Sequence, residues 1–278
     1  YVTDKRKLLG IVSAKDLMTS DYDLTVHDLM ETEIISVNTH TDQEAVAQLF
    51  TKYDLLALPV LDQDSRMVGI VTFDDAMDVM VEEATEDITK MAAMSPNEKT
   101  YFETSVFAHA RHRILWLLIL MFSATVTGTI ITKYEDAFAA IPLLVAFIPM
   151  LMDTGGNCGS QSSTLIIRGI ALNEIRFQDL FRVIFKEFRV SLIVGVALAL
   201  ANGARILIMY HSASLALVIG LSLIGTVILA KLIGCVLPLF AKRVGLDPAI
   251  MASPLITTLV DTCSILIYFN IATMLFKL

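Results

Sequence analysis

Several chemical signatures are missing from this 278-residue chain. Its cysteines, Cys158, Cys235 and Cys263, form no Cys-x-x-Cys pair, and an odd count argues against a disulfide framework. There is no Gly-rich phosphate loop and no His/Asp/Ser set, so an enzyme is not expected. No Lys or Arg interrupts the run from Asp74 to Asp87, which holds Asp74, Asp75, Asp78, Glu82, Glu83, Glu86 and Asp87. With a net charge of −8, that run disfavours nucleic acid as a partner and suits bound cations. No signal peptide is visible, and Tyr1 falls in what reads as the end of a domain, so a longer parent chain is expected.

Hydrophobic sequence is abundant instead. The chain is 55 % hydrophobic with a mean hydropathy of +0.66, above the roughly 45–50 % of soluble domains. Residues 1–113 look like an ordinary acidic soluble protein. Residues 114–278 are mostly apolar runs, at about 114–132, 137–167, 190–210, 214–241 and 248–276. A membrane-spanning helix needs roughly 20 such residues. The expected fold is therefore an α-helical polytopic membrane domain with five transmembrane helices, behind a smaller α/β module. Basic residues set the orientation. Arg111, Arg113, Arg168, Arg176, Arg182, Lys186, Arg189, Lys242 and Arg243 share one side, which makes the soluble part cytoplasmic and leaves the C-terminus outside.

The soluble part contains a repeat. Residues 7–18 (Lys-Leu-Leu-Gly-Ile-Val-Ser-Ala-Lys-Asp-Leu-Met) return 59 positions later as residues 66–77 (Arg-Met-Val-Gly-Ile-Val-Thr-Phe-Asp-Asp-Ala-Met). Between them lie a helix pattern over 42–53 and a strand pattern over 56–61. This arrangement resembles a CBS domain pair, with 1–20 ending a first module and 21–81 forming a complete one. The resemblance implies that Thr72 and Asp75 hold the ribose of an adenine nucleotide such as ATP. Ser/Thr-x-x-Asp is equally a plain helix N-cap. Residues 82–113 read as an acidic connecting helix, interrupted near Ser95-Pro96-Asn97.

Two features lie wrongly for lipid. Residues 153–164, Asp-Thr-Gly-Gly-Asn-Cys-Gly-Ser-Gln-Ser-Ser-Thr, break an apolar run. Polar sequence at membrane depth survives only against protein or a water-filled cavity. Its glycines could bare carbonyls to a pore or form a small-residue packing face. Asp261 sits 13 residues past Pro248, about 20 Å deep at the helical rise. An ionisable group there is a functional candidate by default. Ser253, Pro254, Thr257, Thr258 and Ser264 give it a polar stripe. The alternative is an ion pair with Lys231 or Arg205. A lone carboxylate per chain suits Mg²⁺, which keeps most of its waters, shared between two copies across a dimer axis. A soft-metal path would want His or Cys ligands.

Pro149-Met150-Leu151-Met152-Asp153-Thr-Gly-Gly-Asn-Cys-Gly-Ser-Gln-Ser-Ser-Thr164 through Arg168-Gly-Ile-Ala-Leu-Asn-Glu174 resembles the signature of the MgtE magnesium channels. Asp247-Pro248, Pro254-x-x-Thr257-x-x-x-Asp261 and Glu83-Ala-Thr-Glu-Asp-Ile88 match the same family. The resemblance implies a homodimer in the cytoplasmic membrane, with a pore on the two-fold axis lined by the second and fifth helices. Asp261, Thr257, Ser253, Gly155, Gly156, Asn157 and Gly159 are the implied pore residues. Cytosolic Mg²⁺ bridging Asp74, Asp75, Asp78, Glu82, Glu83, Glu86 and Asp87 is the implied closing signal. Three departures stand out: the acidic N-terminal domain and most of the first CBS module are absent, Ser253 replaces an expected Asn, and Lys231 lies in the fourth helix. Lys231 is expected to face away from the axis and snorkel to the cytoplasmic side. Passage of Mn²⁺, Co²⁺ or Zn²⁺ is the runner-up, and a membrane-anchored nucleotide sensor without transport is the other alternative.

Overall fold

The computed structural model describes residues 1–97, 99–251 and 253–277. Two compact units divide the chain, residues 1–85 and the part from Glu86 onward.

The first unit opens with the hairpin β1 (Val2–Asp4) and β2 (Lys7–Gly10), turned through Lys5 and Arg6 at positive φ. Helices α1 (Ala14–Thr19) and α2 (Val26–Leu29) follow. A three-stranded sheet then pairs β3 (Val37–Asn38) in parallel with β4 (Ala57–Leu61), and β4 antiparallel with β5 (Met67–Thr72). The parallel pair needs a crossover, and α3 (Gln43–Tyr53) supplies it. Asp42 caps α3 by accepting from the Glu44 and Ala45 amides, and Asp54 ends it at φ 51°. Val37, Phe50, Leu58 and Ala76 form the core beneath the sheet. This is the strand–helix–strand–strand–helix order that the repeat predicts. The last helix, α4 (Phe73–Met91), continues to Met91. At the interruption expected within 82–113, the described residues between Met91 and Val106 are irregular; Pro96 lacks an amide proton and disfavours helix before it.

The second unit is helical. Helix α5 (Val106–Lys133) is capped by Ser105, whose hydroxyl accepts from the Ala108 amide. It is followed by the short α6 (Glu135–Ala140) and a 3₁₀ turn at Pro142–Phe147. Then come α7 (Ile148–Ala171), α8 (Leu180–Tyr210), α9 (Ala213–Arg243) and α10 (Ser253–Phe276). The second apolar run thus begins its long helix at Ile148 rather than near 137, because Pro142 and Pro149 fix two separate starts. Helix α9 is the hub against which α7, α8 and α10 all pack. The core runs along the bundle in three layers: Leu144, Leu151, Ile219 and Tyr268 at one end, Val227, Ala230, Ile256 and Val260 in the middle, and Ile166, Ile170, Cys235 and Leu239 at the other.

Four described helical segments are long and apolar enough to cross a membrane: Val106–Lys133, Phe177–Tyr210, Ala213–Arg243 and Pro248–Phe276. On α5 and α8 the apolar side chains stay exposed, among them Leu117, Phe122, Ile193 and Leu200. Apolar faces of that extent are what lipid covers. Helix α7 is too polar to join the four.

Candidate functional site

Helix α7 has two faces. On one, Gly155, Gly156 and Gly159 are buried. A Cβ at Gly155 would lie 2.7 Å from Thr226, 2.9 Å from Val260 and 3.0 Å from the Ser264 hydroxyl. At Gly156 it would meet Thr257 at 2.8 Å, and at Gly159 Ile256 at 2.7 Å. The closest approach is to α9, where a Cβ on Gly234 would fall 2.3 Å from the Gly159 carbonyl oxygen. These glycines therefore let α9 and α10 close on α7, and within one chain they form a packing face. On the other face Asp153, Asn157, Gln161 and Thr164 are exposed. Their spacing of four, four and three residues aligns them along one edge of the helix.

Asp261 lies beside that edge. It is eight residues inside α10 and half-buried. Its Oδ1 is shielded from solvent with no hydrogen-bond partner. Asp153 is near enough for like-charge repulsion, although sequence reasoning left Asp153 out of the site. Thr257 is half-buried one turn earlier and packs on Gly156. Thr258 donates to the Pro254 carbonyl at 2.9 Å. Ser264 departs from the expected water-facing stripe: it is fully buried, where α10 closes on Gly155 of α7. The Ser253 side chain lies outside the described residues. Thr127 and Thr262 share a hydrogen bond of 2.8 Å that ties α5 to α10.

The proposed ion pair between Asp261 and Lys231 or Arg205 does not form. Arg205 rests against the Met150 sulfur at 3.8 Å. Lys231 does not snorkel either. It is 5 % exposed, donates to the Ser162 hydroxyl at 3.2 Å, and lies 3.7 Å from Glu187. Ser162 in turn donates to Glu187 at 2.6 Å. The α9 terminus is twelve residues beyond Lys231, about 18 Å at the helical rise, farther than a four-carbon stem reaches. A buried cation so placed needs a counter-ion. Sequence reasoning missed Glu187, yet a signal was present: Val183, Glu187, Ser191 and Gly195 recur every four residues along the buried face of α8.

The acidic run lies along α4. Asp74, Asp75, Asp78 and Glu82 are exposed, while Glu83, Glu86 and Asp87 are half-buried. Glu83 accepts from Gln43 at 2.8 Å. Glu86 pairs with Lys90, which also reaches Asp247, just ahead of α10, at 2.5 Å. Burial alone would lower the Lys90 pKa, but the hydrogen bonds to Asp247 and Glu86 outweigh it and raise it. Among the described residues, no three His, Cys, Asp or Glu side chains converge as a metal site. Thr72 donates to Asp75 at 2.6 Å where α4 begins, and Ser13 donates to Asp16 at 2.5 Å where α1 begins. Both Ser/Thr-x-x-Asp motifs thus act as helix caps. A cavity of about 210 Å³ in the first unit is lined by Asn38, Thr39, Thr41 and Gln43 with Val37 and Val60, and not by Thr72 or Asp75.

Comparison with known proteins agrees with this division. Residues 26–82 match the CBS domain. Residues 148–271 match MgtE, described as a divalent cation transporter. The magnesium transporter MgtE of Thermus thermophilus is 39 % identical over all of this chain and 62 % of its own length. That of Bacillus subtilis is 38 % identical over 98 % of this chain and 60 % of its own. A solved cytosolic domain of the Mg²⁺ channel MgtE in complex with ATP is 45 % identical, covering 28 % of this chain and 32 % of that one at a TM-score of 0.27. The chain spans about three-fifths of the length of the curated relatives it matches. With a CBS-like module ahead of a bundle built on α7, α9 and α10, the chain is similar along its whole length to the MgtE divalent cation transporters.

Proposed function

We propose that the chain carries Mg²⁺ into the cell through a pore completed by a second copy of itself. One observation carries this reading: the exposed edge of α7, Asp153–Asn157–Gln161–Thr164, runs beside the half-buried carboxylate of Asp261, whose Oδ1 has no hydrogen-bond partner, within a bundle otherwise suited to lipid. Carboxyl, amide and hydroxyl oxygens in that arrangement suit an ion that keeps its waters. On this reading α7 is a fifth crossing whose polar edge faces the partner and the ion path, not lipid. Asp261 attracts the ion, Thr257 and Asn157 contact its waters, and the three glycines set the helix spacing. The names of the relatives support magnesium as cargo. The soluble unit lies in the cytoplasm on the basic-loop argument.

Asp261→Ala should abolish growth of a Mg²⁺-auxotrophic strain complemented by this chain. Normal growth would reject the assignment. Competition of Mn²⁺, Co²⁺ and Zn²⁺ against Mg²⁺ flux in liposomes identifies the cargo among divalents. For regulation, the exposed carboxylates of α4 repel one another at low Mg²⁺, and bound cations relieve that repulsion. Neutralising Asp75, Asp78, Glu82 and Glu86 together should weaken closure by cytosolic Mg²⁺ in patch recordings. Unchanged inhibition would remove the sensor role.

A further inference from the structure

A second polar feature at membrane depth has no part in the ion path. A cavity of about 360 Å³ opens between Met150 and Thr154 of α7, Leu198, Ala201, Asn202 and Arg205 of α8, and Leu223 of α9. Neither Asp153, Asn157 nor Asp261 lines it. Most of its wall is hydrocarbon, yet two donors in it lack a proper acceptor. The Asn202 amide nitrogen is buried with no partner. Among the described residues the exposed Arg205 side chain has only the Met150 sulfur as acceptor, at 3.8 Å, and a thioether is a weak acceptor. Among the described residues no carboxylate forms an ion pair with Arg205.

Position narrows the ligand. Arg205 lies five residues before the end of α8 at Tyr210, about 7.5 Å along the helix, the depth at which arginine reaches the head-group layer. This end of the bundle is opposite the basic segment 168–189. The missing acceptor must carry negative charge for Arg205 and offer more than one oxygen, since Asn202 and the Thr154 hydroxyl share the cavity. A phosphate group meets both needs. It must also bring apolar substance to lie on Leu198, Ala201 and Leu223, which free phosphate cannot do.

We propose that this cavity seats an anionic phospholipid of the outer leaflet, its phosphate on Arg205 and Asn202 and its upper acyl chains on the apolar wall. The inference requires that α8 lie in a bilayer and is independent of which ion the chain carries. Native mass spectrometry of the whole chain, purified in detergent and exposed to phosphatidylglycerol or phosphatidylcholine, tests it without measuring flux. Wild type and Arg205→Lys should retain phosphatidylglycerol over phosphatidylcholine. Arg205→Gln should lower retention about tenfold, the scale of one charge-assisted hydrogen bond. Asn202→Leu should lower it as well, which keeps the test decisive should the arginine variant misfold. Equal retention by Arg205→Gln and Asn202→Leu would overturn the proposal. So would displacement of the lipid by millimolar inorganic phosphate, which would make the cavity a simple anion site. Disulfide cross-linking of two copies through Ala201→Cys would also overturn it, because the cavity would then face protein.

Discussion

Lys231 and Asp261 are charges set well inside long apolar helices, and the fold treats them in opposite ways. Around Lys231, three helices close with a matched set of groups. Glu187 comes from α8, Ser162 from α7, and the glycines Gly159 and Gly234 bring α7 and α9 into backbone contact at the same level. Around Asp261 the neighbours are Thr257 and a second carboxylate, Asp153, and one oxygen is left without a partner. The enclosed charge is compensated within the chain. The open charge is compensated by nothing the described residues supply, which is the condition expected of a group that meets a cation in transit. On the proposed function the buried pair is a structural element and the solitary carboxylate a binding element.

That contrast can be broken by mutation, beginning with the largest effect. Asp261→Ala should remove Mg²⁺ uptake entirely while leaving the melting temperature of the purified protein equal or higher, since it deletes an uncompensated charge. A large fall in melting temperature would mean that Asp261 is structural after all. Glu187→Gln or Lys231→Met alone should do the reverse and destabilise the bundle by about 3–5 kcal/mol, as expected when one member of a buried pair is removed. Glu187→Leu combined with Lys231→Met should recover most of that loss; a double variant as unstable as the singles would show that Ser162 cannot tolerate losing both partners. Gly234→Ala presses a methyl group onto the Gly159 carbonyl and should cost about 1–3 kcal/mol in thermal unfolding. Asn157→Leu with Gln161→Leu should spare stability but lower flux about tenfold, on the scale of one lost hydrogen bond to the ion's water. The smallest effect is expected at Lys90. Its folded pKa is raised by Asp247 and Glu86, so its contribution is complete below an unfolded value of about 10.4 and is lost only as pH climbs past the higher folded value. Lys90→Met should therefore lower stability by less than about 1 kcal/mol, by an amount constant from about pH 6 to 9, because the groups are partly solvated.

Much of the architecture was readable from local pattern. The repeat at 7–18 and 66–77 located the small α/β unit, and long apolar stretches with at most one charge located α5, α8, α9 and α10. Asp261 stood out because it interrupts such a stretch. What pattern could not supply was pairing between distant helices. Nothing near Lys231 in sequence names Glu187 as its partner, so a lysine placed in lipid by itself invited a snorkelling assignment. The glycines of α7 posed a related problem: small residues serve close helix contact and carbonyl exposure equally well, and the contact shows only in the positions of Thr226, Thr257 and Ile256. Helix starts failed where proline acted twice, at Pro142 and Pro149.

The polarity of α7 bears also on how the protein is made. On the proposed five-crossing arrangement, α7 leaves the ribosome before α8 and α9, yet of the five crossings it alone is too polar along its described residues to partition into lipid unaided. Its burial depends on partners synthesised after it, chiefly α9 through Gly159 and Gly234. Insertion of this chain would then be a concerted event: α7 waits at the membrane surface or beside the insertion machinery until α9 arrives, and truncations ending before α9 should leave α7 accessible to water-soluble labels.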